Sequence, residues 1–407
     1  MARALLEVAD VFRRYGPAFR QAFAAVLPLA QMRVMDAIEA CRTAVLGGHV
    51  DLCDECGHQA ISYNSCRNRH CPKCQGSARL KWLQKREGEL LPVPYFHVVF
   101  TVPADIADLA LYNKRTIYGI LFHATAETLL TIARDLRHLG ACIGFLAVLH
   151  TWGQNLLHHP HLHCVIPAGG LSIDRQRWIS CRPGFFLPVR VLSRLFRRLF
   201  LSELKIAYEK GQLHLDGKLA RLSAPAAFSA FLASARKTEW VVYAKAPFGS
   251  PVQVLRYLGR YTHRVALSND RILTIDNGQV TFHFKDYTDG SHRKTITLAA
   301  DEFIRRFLLH VLPDRFLRIR HFGLFANNHR TQNLDACRRL IAVSTPEPLS
   351  ALAPVPEIHT DKPISEQEPI RCPECGLGRL LRFRIPPGMT FDVPFTSARS
   401  IPRQDSS

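Results

Sequence analysis

The chain has 407 residues, 47% of them hydrophobic and 21% charged, which excludes a wholly disordered protein and leaves room for more than one domain. Lysine and arginine total 53 against 34 acids, a net charge of +19, and that excess points to a polyanionic partner, with nucleic acid the commonest one. The longest stretch free of Asp, Glu, Lys and Arg, residues 139–173, contains Gln154, Asn155, five histidines and Pro160, so no membrane span is expected there.

Residues 1–46 are predicted to be a helical segment, because apolar positions recur near the 3.6-residue spacing in "LLEVADVFRRY" and "VMDAIEACRTAVL". The opening "MARALLEVADVFRRYG" carries charges throughout, unlike the apolar core of an export signal. Residues 47–90 change texture: a compact module rich in Cys, His, Asn and Gly is followed by the basic helical run "ARLKWLQKREGELL". Residues 91–325 are predicted as an α+β domain with mainly antiparallel strands. "YFHVVFTV", "ACIGFLAVLHTW", "LHCVIPAGG", "EWVVYAKAP", "RILTI", "QVTFHFK" and "KTITL" carry the β-branched and aromatic content of strands. Residues 104–138, 188–207 and "AADEFIRRFLLHVL" are predicted helices. So is "SPVQVLRYLGRYTHRV", with Ser250 as N-cap and Pro251 at the first position. A basic helix is expected over 326–342. The remainder, 343–407, has the composition of a Pro- and Glu-rich linker and loose tail containing one Cys pair.

Six of the twelve cysteines fall in Cys-x-x-Cys pairs, which favours metal over disulfides and a reducing cytoplasm. In "CDECGHQAISYNSCRNRHCPKC" the pairs Cys53/Cys56 and Cys71/Cys74 stand at zinc-ribbon spacing, each suited to one side of a tetrahedral ion. Cys66, His58 and His70 are surplus to one such site. With Cys41 and His49 there are nine candidate ligands, compatible with one zinc ion or two. A four-thiolate site leaves no position for substrate, so this zinc is read as structural. Arg67, Arg69 and Lys73 lie among further cations around it, with Tyr63 and Trp82 as stacking surfaces. The module is therefore expected to grip nucleic acid, the alternative being a structural knob with a solvated basic face. The distant "CPECG", with Cys372 and Cys375, is half a ribbon: a remnant, or a pair that borrows ligands elsewhere.

The stretch "HHPHLHC" gathers four histidines. In a strand, His161 and His163 share one face while Leu162 points into the core, giving an incomplete divalent-metal site. His150, which closes the preceding strand, is the best third ligand, with Gln154, His159 and His158 as runners-up. His158 and His159 are expected in the approach loop, with Pro160 marking where the strand begins. An open site of this kind suits a Lewis acid on a phosphate oxygen. In "YLGRYTHR", Tyr257 and Tyr261 stand at i and i+4 on one helical face, ringed by Arg256, Arg260, His263 and Arg264. Nearby cations favour the phenolate, and hence nucleophilic use; packing of the helix onto the sheet is the plainer alternative.

A zinc ribbon, then His-hydrophobic-His, then Tyr-x-x-x-Tyr resembles the two-tyrosine HUH rolling-circle transposases of the insertion sequence 91 family, with their N-terminal transposase zinc-binding domain. The stretches that carry the resemblance are "NSCRNRHCPKCQ", "YFHVVFTVP", "LHTWGQNLLHHPHLHCVIPAGG", "YLGRYTHRVALSNDRI" and "EFIRRFLLHVLP". It implies a Rep/relaxase-like antiparallel-sheet HUH endonuclease domain in a bacterial, nucleoid-associated protein. It also implies metal-dependent cleavage and rejoining of single-stranded DNA at transposon ends and target. His161 and His163 would match the family's Mg²⁺ or Mn²⁺ ligands, and Tyr257 and Tyr261 its nucleophiles, which form a 5′-phosphotyrosine link and free a 3′-hydroxyl. A plasmid-type replication initiator or relaxase, and a non-catalytic zinc-containing DNA-binding regulator, remain as alternatives.

Overall fold

A computed structural model describes residues 6–245, 266–286, 292–344 and 371–390, together with the single positions Gln253 and Gly259. The chain opens with α1 (Val8–Ala22) and α2 (Leu29–Ala40). In α1, Val8, Val11, Phe12 and Phe19 recur at helical spacing and are buried, and a reciprocal capping box between Glu7 and Asp10 starts the helix. Arg20 ties the two helices together through Asp36 and Glu39.

β1 (Gly48–Cys53) and β2 (Gln59–Tyr63) form a hairpin, and α3 (Pro72–Glu87) begins with proline at its first position. β3 (Tyr95–Thr101) leads into α4 (Ala104–Tyr112) and α5 (Lys114–Arg134). Then come β4 (Ala141–Cys142), β5 (Gly144–Trp152), β6 (His158–Pro167), β7 (Gly169–Ser172) and β8 (Trp178–Ser180). The helices α6 (Val189–Glu209) and α7 (Pro225–Lys237) precede β9 (Val242–Lys245). The meander β10 (Ile272–Asp276), β11 (Gln279–Asp286) and β12 (His292–Ala299) runs into α8 (Ala300–Leu309). β13 (Ile319–Gly323), α9 (Arg330–Ser344) and β14 (Leu380–Ile385) complete the described chain.

The centre is a five-stranded antiparallel sheet in the order β13-β5-β6-β3-β9. Its two faces follow from the two-residue period of the strands. Phe96, Val98, Phe100, Leu149, Leu162, Cys164 and Ile166 point to one side, where α5 and α6 cover them. α5 is long and apolar enough to cross a bilayer, yet two thirds of its apolar window is buried in this core. On the other side lie Tyr95, Leu146, Val148 and Val165, packed against Trp82 of α3. His97, His150 and His163 share that second face.

A second core joins the N-terminal helices to the meander: Phe12 meets Phe307 edge to face at 5.3 Å, and Phe282 meets Phe303 at 5.8 Å. The α+β architecture with antiparallel strands thus holds, with three differences in detail. β6 starts at His158, so His158 and His159 are strand residues and Pro160 lies inside the strand. The residues 371–390, predicted as loose tail, contain β14, which pairs with β1 from Gly48↔Ile385 to Cys53↔Leu380. Helix α7 has no counterpart in the sequence reading. The predicted helix over 250–265 lies outside the described residues, except that Gln253 and Gly259 are helical.

Candidate metal centres

The antiparallel register sets His150 directly across from His161, and Val148 across from His163. One ring nitrogen from each of His150, His161 and His163 lies within 4.8 Å of the other two. His161 Nε2 and His163 Nε2 are 3.0 Å apart. Two imidazoles bound at right angles to one ion at about 2.1 Å would stand about 3.0 Å apart, so the donor set fits a shared cation. The outer nitrogen of His161 fixes its tautomer. His161 Nδ1–H donates to the His159 carbonyl at 2.7 Å; a carbonyl only accepts, so in the neutral ring the Nε2 lone pair is left for a ligand. His163 Nδ1 meets His97 Nε2 at 2.7 Å, with the two rings stacked nearly parallel. With the proton on Nδ1, His163 turns its Nε2 lone pair toward His161 Nε2.

A bulge creates the His161 contact. Trp152 pairs with His158 and His150 with His161, so His159 and Pro160 together oppose Thr151. Pro160 has no N–H to give the ladder. Burial lowers the pKa of His161 and of His97 to about 4, and that of His163 well below the ordinary value, which keeps all three neutral as ligands require. Trp152 stacks on His150 at 4.8 Å. His158, a runner-up ligand, turns away to the Tyr118 hydroxyl at 2.8 Å, while His310 bonds Thr151 and the Leu156 carbonyl. His97 is the residue missed by sequence reasoning: a lone histidine in an apolar strand carries no local pair to mark it.

The cysteines divide differently from the ribbon expected. Cys53/Cys56 and Cys71/Cys74 do not share a site. Cys71 and Cys74, at the start of α3, meet Cys41 from the end of α2 and Cys66, with Sγ separations of 3.5 Å (Cys41–Cys74) and 3.6 Å (Cys66–Cys74). Backbone amides of Cys66 and Asn68 point at the Cys41 and Cys66 sulfurs. Hydrogen bonds from the Cys66 and Cys71 thiols hold the Cys41 thiol far below its ordinary value, so this cluster favours thiolate at Cys41. Cys53 and Cys56, at the end of β1, meet Cys372 and Cys375 instead. His70 belongs to neither group: it is buried, accepts from the Leu312 amide, and burial lowers its pKa to about 3.

Two of the cations assigned to DNA are used inside the protein. Arg69 donates to the carbonyls of Phe316 and Pro313. Lys73 pairs with Glu7 at 2.7 Å, both side chains about 10% exposed. Lys73→Met is therefore expected to leave the Glu7 carboxylate stranded and to cost about 3 kcal/mol in chemical denaturation, with little change in the salt dependence of DNA binding. Arg67, in a left-handed backbone conformation, lines a groove with Arg33, Arg69 and Arg315. Arg256, Tyr257, Arg260, Tyr261 and Arg264 lie outside the described residues.

Comparison with known proteins agrees with this layout. The family described as "Transposase zinc-binding domain" matches residues 11–102, and the family described as "Putative transposase" matches residues 144–333. The chain is 56% identical over 390 residues to "Putative transposase y4qJ" of Sinorhizobium fredii (strain NBRC 101917 / NGR234), covering 96% of this chain and 98% of that protein. It is 27% identical over 343 residues to "Transposase for insertion sequence element IS801" of Pseudomonas savastanoi pv. phaseolicola, covering 83% and 80%. No solved structure matches the chain significantly. With Cys41, Cys66, Cys71 and Cys74 inside the first family match, the three facing histidines inside the second, and a relative alike almost end to end, the chain belongs to the transposases of the insertion sequence 91 family.

Proposed function

We propose that this transposase works as an HUH endonuclease, cutting and rejoining single-stranded DNA at the ends of its element and at the target by a rolling-circle route. The observation that carries this reading is the pair of Nε2 atoms 3.0 Å apart on one face of β6, with the outer nitrogen of each ring occupied. His161 and His163, with His150 beside them, would hold Mg²⁺ or Mn²⁺. Such an ion supplies Lewis-acid polarisation of the scissile phosphate.

The tyrosines supply the nucleophiles. The Oη of Tyr257 or Tyr261 bonds to phosphorus, the bond from phosphorus to the 3′-oxygen breaks, the phenolic proton passes to solvent or a nearby base, and the leaving 3′-oxygen takes up a proton from solvent to become the 3′-hydroxyl. The 5′-phosphotyrosine ester conserves the bond energy, so the freed 3′-hydroxyl can later reverse the step on another strand without nucleotide hydrolysis. Two observations on the described residues that flank the tyrosine segment support this reading. Lys245, where the stretch 246–265 begins, is in register with His97. Ala266 and Leu267, where it ends, are buried in the same core as Leu156, in the loop before β6. Arg256, Arg260 and Arg264 would bind the DNA backbone, and family membership favours transposition over plasmid initiation. On this reading the protein would be nucleoid-associated in a bacterial cytoplasm when bound to DNA.

The test is covalent capture. Single-stranded oligonucleotides carrying the element's ends, labelled at the 3′ end and incubated with Mn²⁺, are expected to give a protein–DNA adduct on denaturing gels, and the matching duplex none. Tyr257→Phe/Tyr261→Phe is expected to abolish it. An adduct that survives this double change rejects the nucleophile assignment. No adduct from the unaltered chain on any end sequence favours the non-catalytic regulator.

A further inference from the structure

We propose a second zinc site, formed by Cys53 and Cys56 with Cys372 and Cys375, that closes a zinc ribbon from the two ends of the chain. The cysteines come from positions 316 to 322 residues apart. Their sulfurs all lie within 4.8 Å of one another, with Cys53–Cys375 at 3.8 Å and Cys56–Cys372 at 3.7 Å. Four thiolates at about 2.3 Å from a tetrahedral ion stand about 3.8 Å apart, whereas a disulfide would need about 2.05 Å. The spacing is that of a metal site.

The two halves are built alike. "CDECG" and "CPECG" share the pattern Cys-x-Glu-Cys-Gly. In the first, the Gly57 amide donates to the Cys53 carbonyl at 3.1 Å and the Cys53 amide to the His58 carbonyl at 2.9 Å. In the second, the Gly376 amide donates to the Cys372 carbonyl at 2.9 Å and the Cys372 amide to the Gly378 carbonyl at 2.8 Å. Gly57 and Gly376 both sit at φ 70°, the left-handed turn that directs the two sulfurs of a knuckle to one point. Amides also point at the sulfurs: Cys56 N to Cys53 Sγ at 3.5 Å, and Gly378 N to Cys375 Sγ at 3.4 Å. Such donors stabilise thiolate charge.

The halves lock together around the sulfurs. Asp54 N donates to the Arg379 carbonyl and Arg379 N to Asp54 Oδ1. A Cβ on Gly378 would stand 2.4 Å from Cys53 Sγ, so only glycine lets the knuckles approach. β14 then pairs with β1 along six residues, and Arg382 forks onto Asp51. The family zinc-binding match, 11–102, contains every ligand of the Cys41 cluster but only half of this one. The second site therefore adds to that domain a piece of chain it does not include, and with all four positions filled by protein its role is structural.

The test uses cobalt in place of zinc, because thiolate-to-cobalt charge-transfer absorbance counts sulfur ligands and ignores a histidine site. In the unaltered full-length chain, stripped and titrated with Co²⁺, the band is expected to saturate at two equivalents. Saturation at one equivalent overturns the proposal without need of any variant. In Cys372→Ser/Cys375→Ser the saturated band is expected to fall by half, and tightly held zinc, measured by elemental analysis, to drop by one ion per chain. A variant that keeps the full band also overturns the proposal.

Discussion

Alanine at His163 is expected to slow cleavage of single-stranded element ends by about a thousandfold, corresponding to about 4 kcal/mol of lost transition-state stabilisation. His163 is the ring around which the others are arranged: it touches His161 and His97 directly, and its centroid lies 4.3 Å from that of His150. Removing it would take away a proposed metal ligand together with the contact to His97. His161→Ala should cost less, and raised Mn²⁺ should partly restore it, since His150 and His163 remain. Single-turnover cleavage across a Mn²⁺ series, with a melting curve for each variant, separates lost metal from lost fold. A His163→Ala protein that cleaves at the unaltered rate with an unaltered Mn²⁺ midpoint would remove the histidines from the mechanism.

Opening the Cys41 cluster with Cys71→Ser is expected to unfold the N-terminal core. Structural zinc contributes on the order of 10 kcal/mol or more to such sites, comparable with the whole stability of a domain. Cys41, Cys71 and Cys74 belong to the same buried cluster as Phe12, Phe282, Phe303 and Phe307, so the loss would reach α1, α2 and α8 as well as the start of α3. Hydrogen exchange is expected to show loss of protection in α1 and α2, while the central sheet, which rests on its own core, keeps most of its own. Chelation of the unaltered protein should do the same. A variant that melts within a degree or two of the parent would mean that apolar packing alone holds this core.

Much of the histidine site was legible because it depends on local rules. The two-residue strand period put His161 and His163 on one face, and the hairpin-like order of β5 and β6 made His150 the natural third member. What escaped depended on distant chain. His97 arrives through β3 pairing with β6, and nothing near "YFHVVF" announces it. Cys372 and Cys375 looked like half a motif because their other half lies more than three hundred residues earlier, although the repeated Cys-x-Glu-Cys-Gly was there to be matched. The nearer pairing, Cys53/Cys56 with Cys71/Cys74, had acceptable spacing, but spacing does not say which strand a knuckle sits on. Arg69 and Lys73 read as surface charges because composition does not show the carbonyls of residues 313 and 316, or Glu7, waiting behind them.

The pairing of β14 with β1 also bears on how the chain is made. During synthesis β1 leaves the ribosome early, and its neighbour on that side does not begin until about 327 further residues have been added, the distance from Cys53 to its partner Leu380. At roughly 5–20 residues per second that interval is about 16 to 65 s. Through that time Cys53 and Cys56 have half a partner set and β1 has an open edge. The N-terminal hairpin thus gains its third strand only after nearly all of the described chain has been made.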